Sequence, residues 1–344
     1  MNKNMTSVVL DTQYAHPQWL ANKLGGATSV SFDADLPTMD DGIAFYVSQL
    51  AHIETTLYKT PYAAIDYADL IPPVQGIPEW ADEWTYISYD GVTMGKFIGS
   101  SAKDLPRVTV SANKSRVNIG YAGVGYDYSL DEMRKTAQMR MPIDTTKAEL
   151  AFRGSQEHMQ RVAYFGDADR GMTGLFNNPN LALDNSTVDW STATGQEIID
   201  DMNSLLVEVW TNSKSIHLPD TLVMTPTRYA TLSSRRMDTG TDTTILQFFM
   251  LNNLYTTRTK QQITIEPRYQ LEASELAANG VSNGGKDRMM AYEKNPRNLG
   301  MANPLPFRQT APQIQGLNIA VDCEYKMSGV EFRFPFSGAY RDAL

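Results

Sequence analysis

Cysteine is nearly missing from this sequence: Cys323 is the one thiol in 344 residues. No internal disulfide can form, and a metal site built from several thiolates is excluded. Long apolar runs are missing too, since no stretch reaches the 18 apolar residues that a membrane-spanning helix needs. The opening segment, MNKNMTSVVLDTQYAHPQWL, lacks the unbroken apolar core of a signal peptide. Positive charge is in short supply, with 30 Lys and Arg against 39 Asp and Glu and a net charge of −9. A protein that grips nucleic acid collects Lys and Arg to neutralise phosphates, so that class is disfavoured. Nucleic acid that is enclosed and not gripped stays compatible with the charge. Histidine is sparse, and His16, His52, His158 and His217 are scattered without a partner at metal-ligand spacing.

What is present is an ordinary globular composition, 42% apolar and 20% charged, in a chain long enough for two or three domains with cores. Residues 1 to about 40 are polar, contain Gly25-Gly26 and show no sustained period. They are expected to form an extended arm that leans on another surface. Apolar residues at 43, 46, 47, 50, 53 and 57 then make a helical stripe over Asp40 to Thr60. Pro72, Pro73 and Pro78 break it. EWTYISYDGVTMGKFI reads as two β-prone runs split by Asp90-Gly91, a strong hairpin signal. Strand alternation continues through Val108, Val110, Val117 and Ile119, so residues 80 to 128 are expected to be a long polar two-stranded ribbon. Such a ribbon is marginal alone and needs a partner surface.

Ser129 and Glu132 open a helix with capping-box spacing, and Pro142 ends or kinks it. A helix of about 20 residues resumes, with Ala148, Phe152, Ser155, Met159, Val162 and Ala163 along one side. Gly166 stops it, opening GDADRGMTGLFNNPN, a cluster of turn formers that nevertheless keeps Leu175 and Phe176. That apolar pair predicts a shaped turn packed against something. From 191 to 310 helical and strand patterns interleave (GQEIIDDMNSLLVEVWTNS, DTLVMT, TPTRYATLSSRR, TILQFFMLNNLY, QQITIEPRY, DRMMAYEK), which predicts a compact α/β lobe. NPRNLGMANPLPF, with three prolines, is expected to leave that lobe. The tail reads as strands that end in a polar, surface-seeking tip.

Chemistry-bearing motifs fail one by one. His158 is expected to be a surface or packed helix histidine. GYAGVG, Gly120 to Gly125, has its glycines in the wrong order for a dinucleotide loop and sits in strand pattern, so it is expected to ease a bent strand. Asp167 to Arg170 lacks the Gly and Glu of a calcium loop and reads as a solvated turn. No nucleophile elbow is present, and Cys323 reads as a buried strand thiol. The expectation is therefore no enzyme: no catalytic, cofactor-binding or metal-binding residue, and no cofactor.

The order of parts carries more information than any motif. YDGVTMGKFIGSSAKDLPRVTV, GYDYSLDEMRKTA, YFGDADRGMTGLFNNPN, PDTLVMTPTRYATL and APQIQGLNIAVDCEYKMSGVEFRFPFSGAYRD together resemble the major capsid proteins of tailed double-stranded-DNA bacteriophages. That is the Hong Kong 97 type fold shared with encapsulin nanocompartments. The turn Gly174-Leu175-Phe176-Asn177 resembles the Gly-Leu-x-Asn turn of one subgroup. The resemblance implies an α+β protein with arm and first helix at 1–79, an extended β-ribbon loop at 80–115 and a peripheral domain with spine helix at 116–190. It implies further an axial domain at 191–310 and peripheral C-terminal strands at 311–344. It implies a structural protein that assembles through hexamers and pentamers into an icosahedral head enclosing double-stranded DNA, with an encapsulin-like cargo shell as the alternative. Implied partners are copies of itself, scaffolding, portal and decoration proteins and packaged DNA bound without sequence specificity, with no membrane. The implied location is the virion capsid, assembled in the host cytoplasm. The segment before the first helix lacks the charged helical pattern of an internal scaffold, so assembly without N-terminal cleavage is expected.

Overall fold

The computed structural model describes residues 62–92, 97, 107–139, 146–238, 240 and 242–342, together with the backbone pairing of two dipeptides nearer the start. The chain divides into two compact units, 1–63 and 64–344. In the first, β1 (Val8–Val9) and β2 (Ser29–Val30) pair antiparallel. The stripe helix expected over Asp40 to Thr60, the rest of the arm and the break at Pro142 lie outside the described residues.

The second unit begins with one helical turn, α1 (Tyr67–Leu70), and an edge strand, β3 (Pro73–Val74). Two long strands follow, β4 (Glu83–Val92) and β5 (Thr109–Ser129), antiparallel from Glu83 opposite Asn118 to Val92 opposite Thr109. This corrects two expectations. Asp90 and Gly91 do not turn the chain; they sit inside the ladder, opposite Ser111 and Val110. A type I′ preference is local, and a ladder through all ten residues of β4 outweighs it. The ribbon is also shorter than expected, because from Ile119 onward β5 acquires a second long partner strand, β13 below.

Helix α2 (Leu130–Met139) starts where the Ser129 hydroxyl accepts from the Asp131 amide at 3.3 Å. Helix α3 (Thr146–Phe165) is the long helix, 20 residues and about 30 Å. Its buried seam follows the expected row through Ser155, Met159, Val162 and Ala163, but in the first turns Ala151 is buried in place of Phe152. Phe152 is consequently half exposed, its ring edge-on to Phe307 at 5.2 Å.

The lobe is built from β6 (Ala182–Asn185), α4 (Gly195–Asn212), β7 (Thr221–Met224), α5 (Pro226–Ser234), α6 (Ile245–Asn252), α7 (Leu254–Thr259), β8 (Thr264–Pro267), α8 (Ala273–Ala278) and β9 (Met289–Tyr292). Threonines cap three of these helices: Thr194 and Thr244 in reciprocal capping boxes with Glu197 and Gln247, Thr225 beside Pro226. TILQFFMLNNLY is two helices and not one. Asn253 adopts extended backbone between them, accepting from Thr256 N–H at 2.8 Å and donating to Phe249 C=O at 2.8 Å, so one amide serves both ends.

The chain closes with β10 (Leu299–Ala302), β11 (Leu305–Gln309), β12 (Gln313–Gln315), β13 (Asn318–Ser328), β14 (Val330–Phe332) and β15 (Gly338–Asp342). Among its described residues the second unit holds three sheets, ordered β14-β10-β3, β11-β13-β5-β4 with β12 beside β13, and β6-β15-β9-β7-β8. The expected polar tip is wrong. All five residues of β15 are buried, between β6 and β9 in the lobe's sheet. Their charges are paired there: Asp342 accepts two bonds from Arg288 at 2.6 and 2.8 Å, and Arg341 meets the carboxylates of Asp201, Asp184 and Glu208 at 2.8, 3.2 and 3.3 Å. Buried ions persist only with such partners.

Candidate functional site

The turn after α3 packs its apolar residues, Met172, Leu175 and Phe176, into one core cluster with the end of that helix. Gly166 takes φ +73°, a left-handed conformation that glycine adopts freely. The Leu175 and Phe176 amides donate back to the Ala163 and Tyr164 carbonyls at 2.8 Å, and both side chains are fully buried. Phe176 stacks on Tyr164 with ring centroids 4.7 Å apart. The Tyr340 hydroxyl of β15 donates to the Leu175 carbonyl at 2.5 Å, and Arg288 donates to that of Phe176 at 2.7 Å. The packed turn expected from Leu175 and Phe176 is therefore present, tied to the last strand and the lobe.

The residues weighed for chemistry lie apart. His158 sits on α3 with Nδ1 2.8 Å from the Tyr325 hydroxyl, and burial lowers its pKa, favouring the neutral ring. His217 does have a carboxylate partner, Glu293 at 2.7 Å, which sequence spacing did not reveal because 76 residues separate them. His16 and His52 lie outside the described residues. Gly120 to Gly125 lie in mid-strand opposite β13, and a Cβ on Gly123 would come within 2.9 Å of the Cys323 carbonyl. Residues Ala168–Arg170 form an exposed 3-10 turn, and Cys323 is buried in β13, where desolvation raises its pKa. Among the described residues, no group of three His, Cys, Asp or Glu is placed to hold a metal. A cavity of about 190 Å³ beside β6 and α4 is lined by Leu181, Val209, Pro335 and Phe336 among others, with no charged side chain.

The ribbon of β4 and β5 is the feature without an internal purpose. It runs about 30 Å. Directly opposed residues share a face, so Ile87, Tyr89, Val110 and Ala112 lie together on one side, bordered by Lys114 and Arg116. Ile87, Tyr89 and Val110 are 54%, 73% and 60% exposed. The other face carries Trp84, Tyr86 and Ser88, all half-buried. The Arg116–Glu83 pair at 3.8 Å is solvent-exposed and contributes little. Nothing among the described residues buries this apolar strip, and apolar surface removed from water is the main source of association energy. Of this strip the sequence alternation named Val110; Val117 and Ile119, named with it, are buried. The body residues that hold the ribbon's base, Glu331 and Arg333, gave no local signal.

The sequence profile of major capsid proteins matches residues 94–344. The chain belongs to that family. This capsid protein has a structural and not an enzymatic role, and its place is the virion capsid. A chain from the capsid of Myoviridae phage XM1 superimposes with a TM-score of 0.72 at 14% identity, covering 91% of this chain and 100% of that one. A Mycobacterium phage Ogopogo chain gives 0.56 at 12% identity, covering 85% and 96%. A capsid chain of a native GTA particle gives 0.56 at 10%, covering 89% and 99%. Identities this low establish the fold, which is the mixed helix-and-sheet Hong Kong 97-like one. No curated protein sequence matches. No described helix is long and apolar enough to cross a membrane.

Proposed function

We propose that this capsid protein self-assembles through hexamers and pentamers into an icosahedral head that encloses double-stranded DNA. The observation that carries the reading is the ribbon, whose exposed apolar face calls for a second copy. The family match supports it. In this reading residues 1–79 are the arm and first helix, 80–115 the extended loop, 116–190 with 311–344 the peripheral domain and 191–310 the axial domain. The last strand lends itself to the axial sheet. DNA is contained and not gripped, in keeping with the net charge of −9. Assembly takes place in the host cytoplasm, with scaffolding, portal and decoration proteins as further partners. A shell around a cargo protein is the competing reading, and the major capsid family favours the DNA-filled head over it.

Electron microscopy of particles from infected cells, with nuclease-protected DNA measured on the same sample, tests the proposal. Closed icosahedral shells holding genome-length DNA are expected. Shells holding a protein cargo and no DNA, or no shells, overturn it.

A further inference from the structure

Among the described residues, the ribbon's contacts with the body lie at its base. The Tyr86 hydroxyl donates to the Glu331 carboxylate on β14 at 2.9 Å, a contact between residues 245 apart in sequence. One pleat nearer the body, the Arg333 guanidinium lies over the Trp84 ring, 5.3 Å from its centroid. The Trp84 and Tyr86 rings are 5.7 Å apart and inclined by 39°, so the two contacts form one patch. The body side is braced. β14 pairs with β10, Glu331 facing Gly300, and the Arg333 amide donates to the Asn298 carbonyl at 2.7 Å. The Arg333 guanidinium also donates to the Pro296 carbonyl. On the same face one pleat beyond Tyr86, the Ser88 hydroxyl turns to the ribbon's own backbone, donating to the Asn113 carbonyl at 3.4 Å. Glu331 is a half-buried carboxyl, and its desolvation is opposed by Tyr86 and Arg333. Apolar residues would bury such a patch at less cost. A directional hydrogen bond and a planar stack add orientation.

We propose that Trp84, Tyr86, Glu331 and Arg333 form a clamp that sets the direction in which the ribbon leaves the body, and so the angle at which a neighbouring copy is met. The inference rests on the assembly reading above. The leverage is large: with a ribbon of about 30 Å, a 10° change at the base moves the tip by about 5 Å, more than a packed interface absorbs. These four are positioning residues, while the apolar face makes the contact.

The test uses the full chain with Tyr86→Phe, Glu331→Ala and Glu331→Gln, reading amide hydrogen exchange in unassembled subunits and particle shape by electron microscopy. Tyr86→Phe keeps the ring and removes only the hydroxyl; Glu331→Gln keeps an acceptor for it. Exchange at the ribbon base in Tyr86→Phe and Glu331→Ala is expected to rise about tenfold, the scale of one lost charge-assisted hydrogen bond, with the subunit melting temperature retained. Their particles are expected to be irregular, and Glu331→Gln to restore both protection and regular shells. Wild-type exchange in Tyr86→Phe overturns the clamp, whatever the particles look like. Faster exchange with wild-type shells overturns its role in setting the angle. A wild-type chain that builds no shell overturns the assembly reading instead, while the exchange result still decides whether the base is clamped.

Discussion

At the scale of single residues, Gly174 has no room for a side chain. A Cβ there would lie 2.4 Å from the Tyr164 carbonyl oxygen and 2.5 Å from Gly166 N, both backbone atoms that cannot step aside. Gly174→Ala is therefore expected to cost at least about 3 kcal/mol by forcing the turn off the end of α3. Chemical denaturation of the unassembled subunit checks this, and a loss below 1 kcal/mol would mean that the turn yields. Glu331 offers a pH test. Burial raises its pKa in the folded protein, so the folded state holds that proton more tightly than the unfolded chain. The stability it contributes is full below the ordinary glutamate range and is lost as pH rises through the folded pKa. Glu331→Gln removes the titration, so its stability should fall less than that of wild type between about pH 4 and 7. Superimposable stability profiles would show that the carboxyl is solvated.

At the scale of elements, β5 does two jobs in one strand. Residues 109–118 pair with β4 alone, and residues 119–129 pair with β13 in a sheet that packs against α3. A deletion that respects this boundary should separate assembly from folding. Replacing residues 88–113 by Asn-Gly would close the ladder between Ile87 and Lys114, which face each other, and keep Trp84 and Tyr86 on the body. The shortened protein is expected to be soluble with a melting temperature near that of wild type, yet unable to form closed shells. Normal shells from it would mean that the apolar face of the ribbon is dispensable.

At the scale of the whole molecule, the packing follows two apolar clusters. One surrounds Met159, Tyr164, Phe176, Tyr325 and Phe332, and the other Trp190, Ile198, Met202, Leu206 and Phe249. The lobe's sheet lies between them, and alternate residues of its strands enter opposite clusters: Val223, Met290 and Tyr340 the first, Leu222, Met289 and Ala339 the second. The net charge of −9 acts at this scale as well. Unassembled subunits are expected to bind duplex DNA no more tightly than about 10⁻⁴ M at physiological salt, the weak end of non-specific binding. Fluorescence anisotropy with salt titration measures this. Sub-micromolar affinity with a steep salt slope would show that DNA is gripped and not contained.

Much of this architecture was legible without coordinates because its causes are local. The long helix stops at Gly166, and lobe helices begin at Thr194, Thr225 and Thr244, because caps and turn conformations are chosen by residues within a few positions of each other. Leu175 and Phe176 stood out as apolar residues in a turn, and both are buried. That two long strands form here was likewise visible as alternation at Val108, Val110, Val117 and Ile119. What the sequence by itself did not determine is which distant strand each edge meets. Asp90-Gly91 carries a turn preference that a longer ladder overrides, and β5 changes neighbour at Ile119 because β13, some 200 residues later, is there to receive it. The GAYRD strand looks like a solvated end, yet it is buried because Arg288 supplies the partner of Asp342, and Asp184, Asp201 and Glu208 those of Arg341. His217 meets Glu293, and Tyr86 meets Glu331, for the same reason. Local preference is encoded over a few residues; pairing across the chain is settled only when tertiary packing brings complementary groups together and removes the water that would otherwise have solvated them.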